Sequence, residues 1–324
     1  MAATLRQPVD ADARLDAWTG RLLRAPATIA LLVVAGSELA TDRLAAVQVF
    51  WWIPREPILL GAALWLVLAR VLPWTRLRPR QRRATDLSLV VAVAALGLAT
   101  LRDWRPFGPA DAGGGVSIVH WNAGAPDESE ADRALVALLA LEADVVLVTD
   151  PGRLWHGGRG ERFAEAGYRL ASGGRFGLAS RLPLAEARPV LASRQRVVSR
   201  FVVESAAGPL AIDGVDLPSA TSLPRSTLTR ALAADLAALG HAPADILLGD
   251  FNISRGSASL GHLAPDATDA FRAAGSGWGG SYPRAMPLWP IDLALVRAPW
   301  RALSSRYVDL GVGRHRAQRV VIAR

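Results

Sequence analysis

The stretch "ILLGDFNIS", Ile246 to Ser254, decides how this chain is read. Three aliphatic residues run into Gly249, and then come an acid, an aromatic and an amide: Asp250, Phe251 and Asn252. A short, unbroken apolar run of this kind reads as a strand buried on both faces. A carboxylate at the tip of such a strand costs several kcal/mol unless it is paired or bound to a cation. The expectation is therefore that this strand delivers Asp250 and Asn252 to a shared polar edge.

Other apolar runs end in the same way. Asn122 follows "VSIVHW" and Asp150 follows "ADVVLVT". Asp213 and Asp216 close "PLAIDGVD", Asp292 opens "DLALV", and His315 lies in "GVGRHRAQ". Helical spacing predicts a helix over Ser129 to Glu142, with Ser129 at its start, and another over Arg225 to Leu239. Strands outnumber helices, so residues 116–324 read as a mixed α/β layered domain. Acids and amides converging on one rim, with a histidine, make a hard-cation site of Mg²⁺ type (or Mn²⁺). Such an ion polarises a phosphoryl oxygen while an aspartate orients or deprotonates water.

Taken in order, "HWNAG", an acid after an apolar strand, "LLGDFN", "PID" and a late His-Arg pair resemble the endonuclease/exonuclease/phosphatase superfamily. The resemblance covers Val116 to the C-terminus and implies a deoxyribonuclease-I-like fold, a four-layer α/β sandwich of two sheets between helices. It also implies roles. Asn122 would sit beside metal and phosphate, and Asp150 stands where the family has a metal-binding Glu. Asp250 would activate the attacking water and Asn252 would position it. Asp292 would support His315, which contacts the phosphoryl group.

The chain departs from that pattern in three places. Asp150 is one methylene shorter than the family's Glu. Asp216 stands where the family usually has a His. The family's Ser-Asp-His reads Gly313-Arg314-His315, so an acid is lost and Arg314 gains the means to clamp phosphate. The readings left open are an active phosphoesterase and a catalytically impaired relative serving as a membrane-bound sensor or scaffold for a phosphorylated ligand.

The first hundred residues have a different character. Three apolar stretches, Ala25 to Ala40, Pro57 to Trp74 and Leu87 to Leu101, precede a Pro- and Gly-rich linker over residues 105–115. The second is closest in length to the roughly 20 residues a spanning helix needs. Five arginines lie between Arg76 and Arg83, and Arg14, Arg21 and Arg24 precede the first stretch. Positive charge stays on the cytoplasmic side. One arrangement satisfies both clusters: N-terminus inside, three transmembrane helices within residues 1–104, and everything after Leu101 outside the cytoplasmic membrane. The chain then reads as a multi-pass anchor carrying an extracytoplasmic, metal-dependent phosphoesterase of phosphodiesterase, phosphatase or nuclease type.

Composition agrees with a lipid partner. Of 324 residues, 51% are hydrophobic and 20% charged, mean hydropathy is +0.22, and the net charge of +8 is carried by arginine alone. Cysteine is absent, which excludes disulfides and thiolate metal sites. The residues after 116 carry no basic stripe interleaved with aromatics, so nucleic acid is not the favoured partner. The tether favours a lipid-linked or envelope phosphate ester. The Gly-rich "SGWGGSYP", Ser276 to Pro283, reads as a substrate-side loop because no P-loop lysine follows it.

Overall fold

The computed structural model describes residues 11–72, 77, 79–109 and 113–324, with the backbone alone at 11–17, 19 and 20. Arg76 and Arg78 of the arginine run, the side chain of Arg14 and residues 110–112 of the linker lie outside that description. The chain divides into two units. One comprises the helical chain up to Ala40 together with Ile53–Arg102, and the other Thr41–Trp52 together with Asp103–Arg324.

The first unit holds the helices Ala11–Ala40, Arg55–Val71 and Pro79–Asp103. The segments Arg21–Ala40 and Pro79–Asp103 are long and apolar enough to cross a bilayer. The middle helix has 17 residues and is the shortest of the three, although its apolar run looked most complete in sequence. A proline follows Leu72, which takes an extended backbone and ends the helix before the apolar run does. Ala27, Ala62, Ala63, Ala92 and Ala99 share the interior with Val34, Leu59 and Leu66, while Leu32, Leu64, Leu68, Val90 and Leu98 point outward. Apolar side chains therefore cover the outside of these helices as well as their interior. Glu38, near the end of the first helix, pairs with Arg55 at the start of the second and Arg102 at the end of the third. At the other end Arg70 Nε donates to Asp86 Oδ1 at 3.0 Å. The three helices therefore run up, down and up.

The second unit is built on two six-stranded sheets. One runs in the order Arg301–Val308, Ala317–Ala323, Val116–Asn122, Val145–Thr149, Phe176–Ser180, Arg169–Gly173. The other runs Ala267–Asp269, Asp292–Arg297, Ile246–Asp250, Gly208–Asp216, Val197–Ser205, Leu184–Ala192. Each has one parallel pair at its centre with antiparallel strands on both sides. Each parallel pair is joined through a helix, Glu128–Leu139 in one sheet and Arg225–Ala238 in the other. The first of these helices is capped by Asp127, whose carboxylate accepts the Glu130 N–H at 2.9 Å, and not by Ser129.

Alternation along the central strands makes the four layers. Ile118, Val145, Leu147, Ile246 and Leu248 meet between the sheets. Val119, Val146 and Val148 face Leu135 and Leu138, while Leu247 faces Leu228 and Leu232, in the two sheet–helix layers. Burial on both faces accounts for the unbroken apolar runs. Outside the sandwich, Trp104–Arg105 pairs with Gly277–Trp278. The segment Thr41–Trp52, which includes the short helix Gln48–Trp52, packs within the same unit.

Candidate active site

Both parallel pairs end at one rim. In the second sheet, register sets Asp216 beside Asp250 and Asp292 opposite Asp250. In the first, Asn122 lies beside Thr149, and Asp150 follows at once. Gly249 is required here because a Cβ on it would stand 1.7 Å from the Val215 carbonyl oxygen of the neighbouring strand. Asp150 and Asn252 take left-handed backbone, φ 47° and 48°. Asp and Asn tolerate that region better than other non-glycine residues, at a cost of order 1–3 kcal/mol. The turn after each strand is thereby sharp enough to leave a polar side chain at the edge.

Asn122, Asp150, Asp250, Asn252, Arg314 and His315 all line one pocket of about 410 Å³. Asn122 Nδ2 donates to Asp250 Oδ2 at 2.9 Å, and the Asn252 N–H donates to Asp250 Oδ1 at 2.9 Å. Asn252 Nδ2 donates to the Leu217 carbonyl at 2.7 Å, tying the two strand ends together. Asp292 is fully buried behind the pocket and receives His315 Nδ1 at 2.8 Å. His315 Nε2 stands 3.9 Å from Asp250 Oδ2. Arg314 lies at the margin, with Nη2 on the Tyr282 hydroxyl at 2.6 Å.

The electrostatics follow from burial and pairing. Burial, then the neighbouring Asp292 carboxylate, push Asp250 up to about 7, against the pull of His315. Burial also works to raise Asp292, but the His315 charge and hydrogen bond outweigh it and hold Asp292 below the usual carboxylate range. Burial works to lower His315, and Asp292 outweighs that too, so His315 sits above the ordinary imidazole value. Burial pushes Asp216 up to about 6 while Arg175 pulls it down. One buried carboxylate thus stays charged through its histidine, and its neighbour holds a proton near neutrality.

His120, Asp216, Tyr282 and Arg175 were not read as site residues from sequence. His120 is fully buried in the strand, with Nε2 at 3.0 Å from Thr149 Oγ1. Its Nδ1 lies 4.0 Å from Asp292 Oδ1, so Asp292 is placed between two histidines. Asp216 lines the pocket, whereas Asp213 is committed to Arg200, at 2.6 Å, and to His241, at 2.9 Å. Tyr282 sits on the "SGWGGSYP" loop, its ring 4.9 Å from that of His315. Arg175 lies at a hairpin turn, and the double glycine before it was the only signal of its place.

The donor set suits a hard divalent ion. Asp250, Asp292 and His315 each offer one ligand atom within 4.8 Å of the others, but Asp292 and His315 are bonded to each other, which leaves Asp250, with Asn122 and Asp150 of the same pocket, to offer oxygen to a hard divalent ion. Asp150 belongs to the same rim but is engaged: Arg175 Nε donates to Oδ1 at 2.8 Å, and Arg175 Nη2 pairs with Oδ2.

Comparison with known proteins agrees with the fold. A model of the Endonuclease/Exonuclease/phosphatase family matches residues 113–315. Among solved structures, a humanized D. rerio TDP2 carrying 14 mutations superposes with a TM-score of 0.50 at 19% identity, covering 64% of this chain and 99% of its own. A functionally unknown conserved protein from Enterococcus faecalis gives a TM-score of 0.50 at 13% identity, covering 64% and 99%. At these identities the likeness shows the fold. No curated protein matches the chain.

Proposed function

We propose that this chain, which belongs to the Endonuclease/Exonuclease/phosphatase family, is a membrane-anchored, divalent-metal-dependent phosphoesterase. The observation that carries the reading is the hydrogen-bonded pairs Asn122–Asp250 and His315–Asp292, three of whose members line one pocket with Asp292 buried behind it. Asp250 accepts the proton of the attacking water as oxygen bonds to phosphorus and the ester oxygen departs. His315, kept protonated by Asp292, donates Nε2–H to a phosphoryl oxygen as charge builds there. Asn122 and Asn252 hold the Asp250 carboxylate in place, and Arg314 attracts the phosphate at the margin. Mg²⁺ or Mn²⁺, held by Asn122, Asp150 and Asp250, would supply positive charge that polarises a phosphoryl oxygen.

The apolar outer surface of the three helices supports a multi-pass anchor. Their up-down-up order sets Arg80, Arg82 and Arg83 at the end opposite Glu38, which supports a cytoplasmic N-terminus and an extracytoplasmic second unit. In the second unit, exposed apolar residues recur where the chain leaves for the helices: Leu44, Val49, Phe50, Trp104 and Phe107. Met286, in the same loop as Tyr282, is exposed as well. These exposed apolar side chains support a phosphate ester presented at a lipid surface.

The test is hydrolysis of bis-p-nitrophenyl phosphate by the full chain in detergent with Mg²⁺ or Mn²⁺. Metal-dependent release that disappears in Asp250→Asn supports the reading. The engagement of both Asp150 oxygens by Arg175 favours a second one, a sensor that binds phosphate without turnover. No release, together with phosphate binding seen by calorimetry, would select it.

A further inference from the structure

Two of the three departures from the family pattern, Asp150 and Asp216, are joined by one guanidinium. Arg175 Nε donates to Asp150 Oδ1 at 2.8 Å, Nη2 pairs with Asp150 Oδ2, and Nη1 lies 2.8 Å from Asp216 Oδ2. The backbone reinforces the contact, because the Asp150 N–H donates to the Arg175 carbonyl at 2.8 Å. Arg175 is carried at the tip of the hairpin joining Arg169–Gly173 to Phe176–Ser180, after Gly174 at φ 58°. Three of its nitrogens are therefore committed to two carboxylates of the pocket rim.

We propose that Arg175 is a resident cation that competes with the divalent ion for Asp150, and that Arg175, Asp150 and Asp216 together set how tightly the site takes up metal. The inference rests on the phosphoesterase reading, in that it takes Asp150 as a metal ligand. A guanidinium is always charged and its fork matches a carboxylate bidentately. An ion that needs an Asp150 oxygen must first separate that pair. The Arg175 side chain is 51% exposed, so it can swing to solvent without crossing the core. The two sequence departures then make physical sense as one change. A shorter acid at position 150 leaves room for the fork, and an acid at position 216 supplies its third partner, where a histidine would repel it when protonated. Removing the arginine leaves Asp150 and Asp216 facing each other without a counter-charge, which strengthens the pull on a divalent cation.

Calorimetric titration of Mn²⁺ into the full chain in detergent reads this without substrate. Arg175→Ala should bind Mn²⁺ at least tenfold more tightly than the wild type, about 1.4 kcal/mol. Arg175→Lys, which keeps a charge but loses the fork, should fall between them. Adding Asp150→Asn to Arg175→Ala should abolish the gain. Equal or weaker binding by Arg175→Ala overturns the proposal, and so does a gain that survives loss of the Asp150 carboxylate. If circular dichroism shows Arg175→Ala unfolded, Arg175→Lys decides alone, with affinity equal to or below the wild type counting against. Hydrolysis of bis-p-nitrophenyl phosphate, followed in parallel, separates the two readings. Tighter binding with no turnover in any variant keeps this inference and removes the phosphoesterase. Metal-dependent turnover with unchanged affinity in Arg175→Ala does the reverse.

Discussion

His315 turns its Nδ1 onto Asp292 Oδ2 at 2.8 Å while its Nε2 stands 3.9 Å from Asp250 Oδ2. One ring nitrogen is thus fixed by a buried acid and the other is aimed at the reacting carboxylate. Asp292→Asn keeps the shape but removes the charge that holds the imidazole protonated. The expected loss in kcat is about 10²–10⁴, with KM little changed. The His315 pKa, followed by NMR, should fall at the same time. A variant within threefold of the wild type would leave the Asp292–His315 pair without a catalytic part.

The pH dependence of turnover should report Asp250. As the base it must be a carboxylate, and burial beside Asp292 puts its pKa at about 7. Activity should therefore rise with pH through that region. Asn122 donates to the charged form and lowers this pKa, so Asn122→Ala should shift the acid limb to higher pH. Raising the metal concentration should shift it to lower pH, since a bound cation favours the carboxylate. An acid limb that stays in place under both changes belongs to some other group.

Much of this site was legible in sequence because strand ends carry their chemistry in order. Asn122, Asp150, Asp250, Asn252 and His315 each follow or precede an apolar run that only a doubly buried strand explains. What sequence did not disclose depends on contacts between distant segments. Arg175 is one arginine among many, and only the hairpin register brings it to Asp150. The strands Arg169–Gly173, Leu184–Ala192 and Arg301–Val308 were missed because they lie at or near sheet edges and are partly exposed. Their polar residues broke the apolar signal. Nothing in Thr41–Trp52 marks it as part of the second unit, since its partners lie about two hundred residues onward.

His120 should make stability fall with acid. Burial lowers its pKa to about 4, against 6.5 for an ordinary imidazole. Between those values the unfolded chain takes up a proton that the folded chain refuses. Stability is therefore lost as pH falls from 6.5 toward 4, by up to about 3 kcal/mol. His120→Asn, compared with the wild type by denaturant unfolding at pH 7 and pH 5, should show a smaller difference between the two. An unchanged difference would mean that His120 is not the group responsible.

The segment between the first two helices should stabilise the pocket. Trp51 is buried and its Nε1 donates to Ser257 Oγ at 2.7 Å. The Trp52 carbonyl accepts Trp289 Nε1 at 2.7 Å, and Trp289 packs on Tyr282, which in turn packs on His315. Gln48 Oε1 accepts the Arg225 N–H at 3.0 Å, and Arg225 Nη1 donates to the carbonyl of Pro218, which also lines the pocket. Gln48–Trp52 thus braces two pocket-lining loops that no strand holds. Trp51→Ala should cost about 3–5 kcal/mol, read as a lower melting temperature of the second unit. A protein beginning near Gly115, which lacks this brace and the Trp104–Arg105 ribbon, should melt lower still. It should also bind phosphate more weakly, even with every residue of the pocket present. If the shortened protein melts and binds as the full chain does, the segment is only a connector.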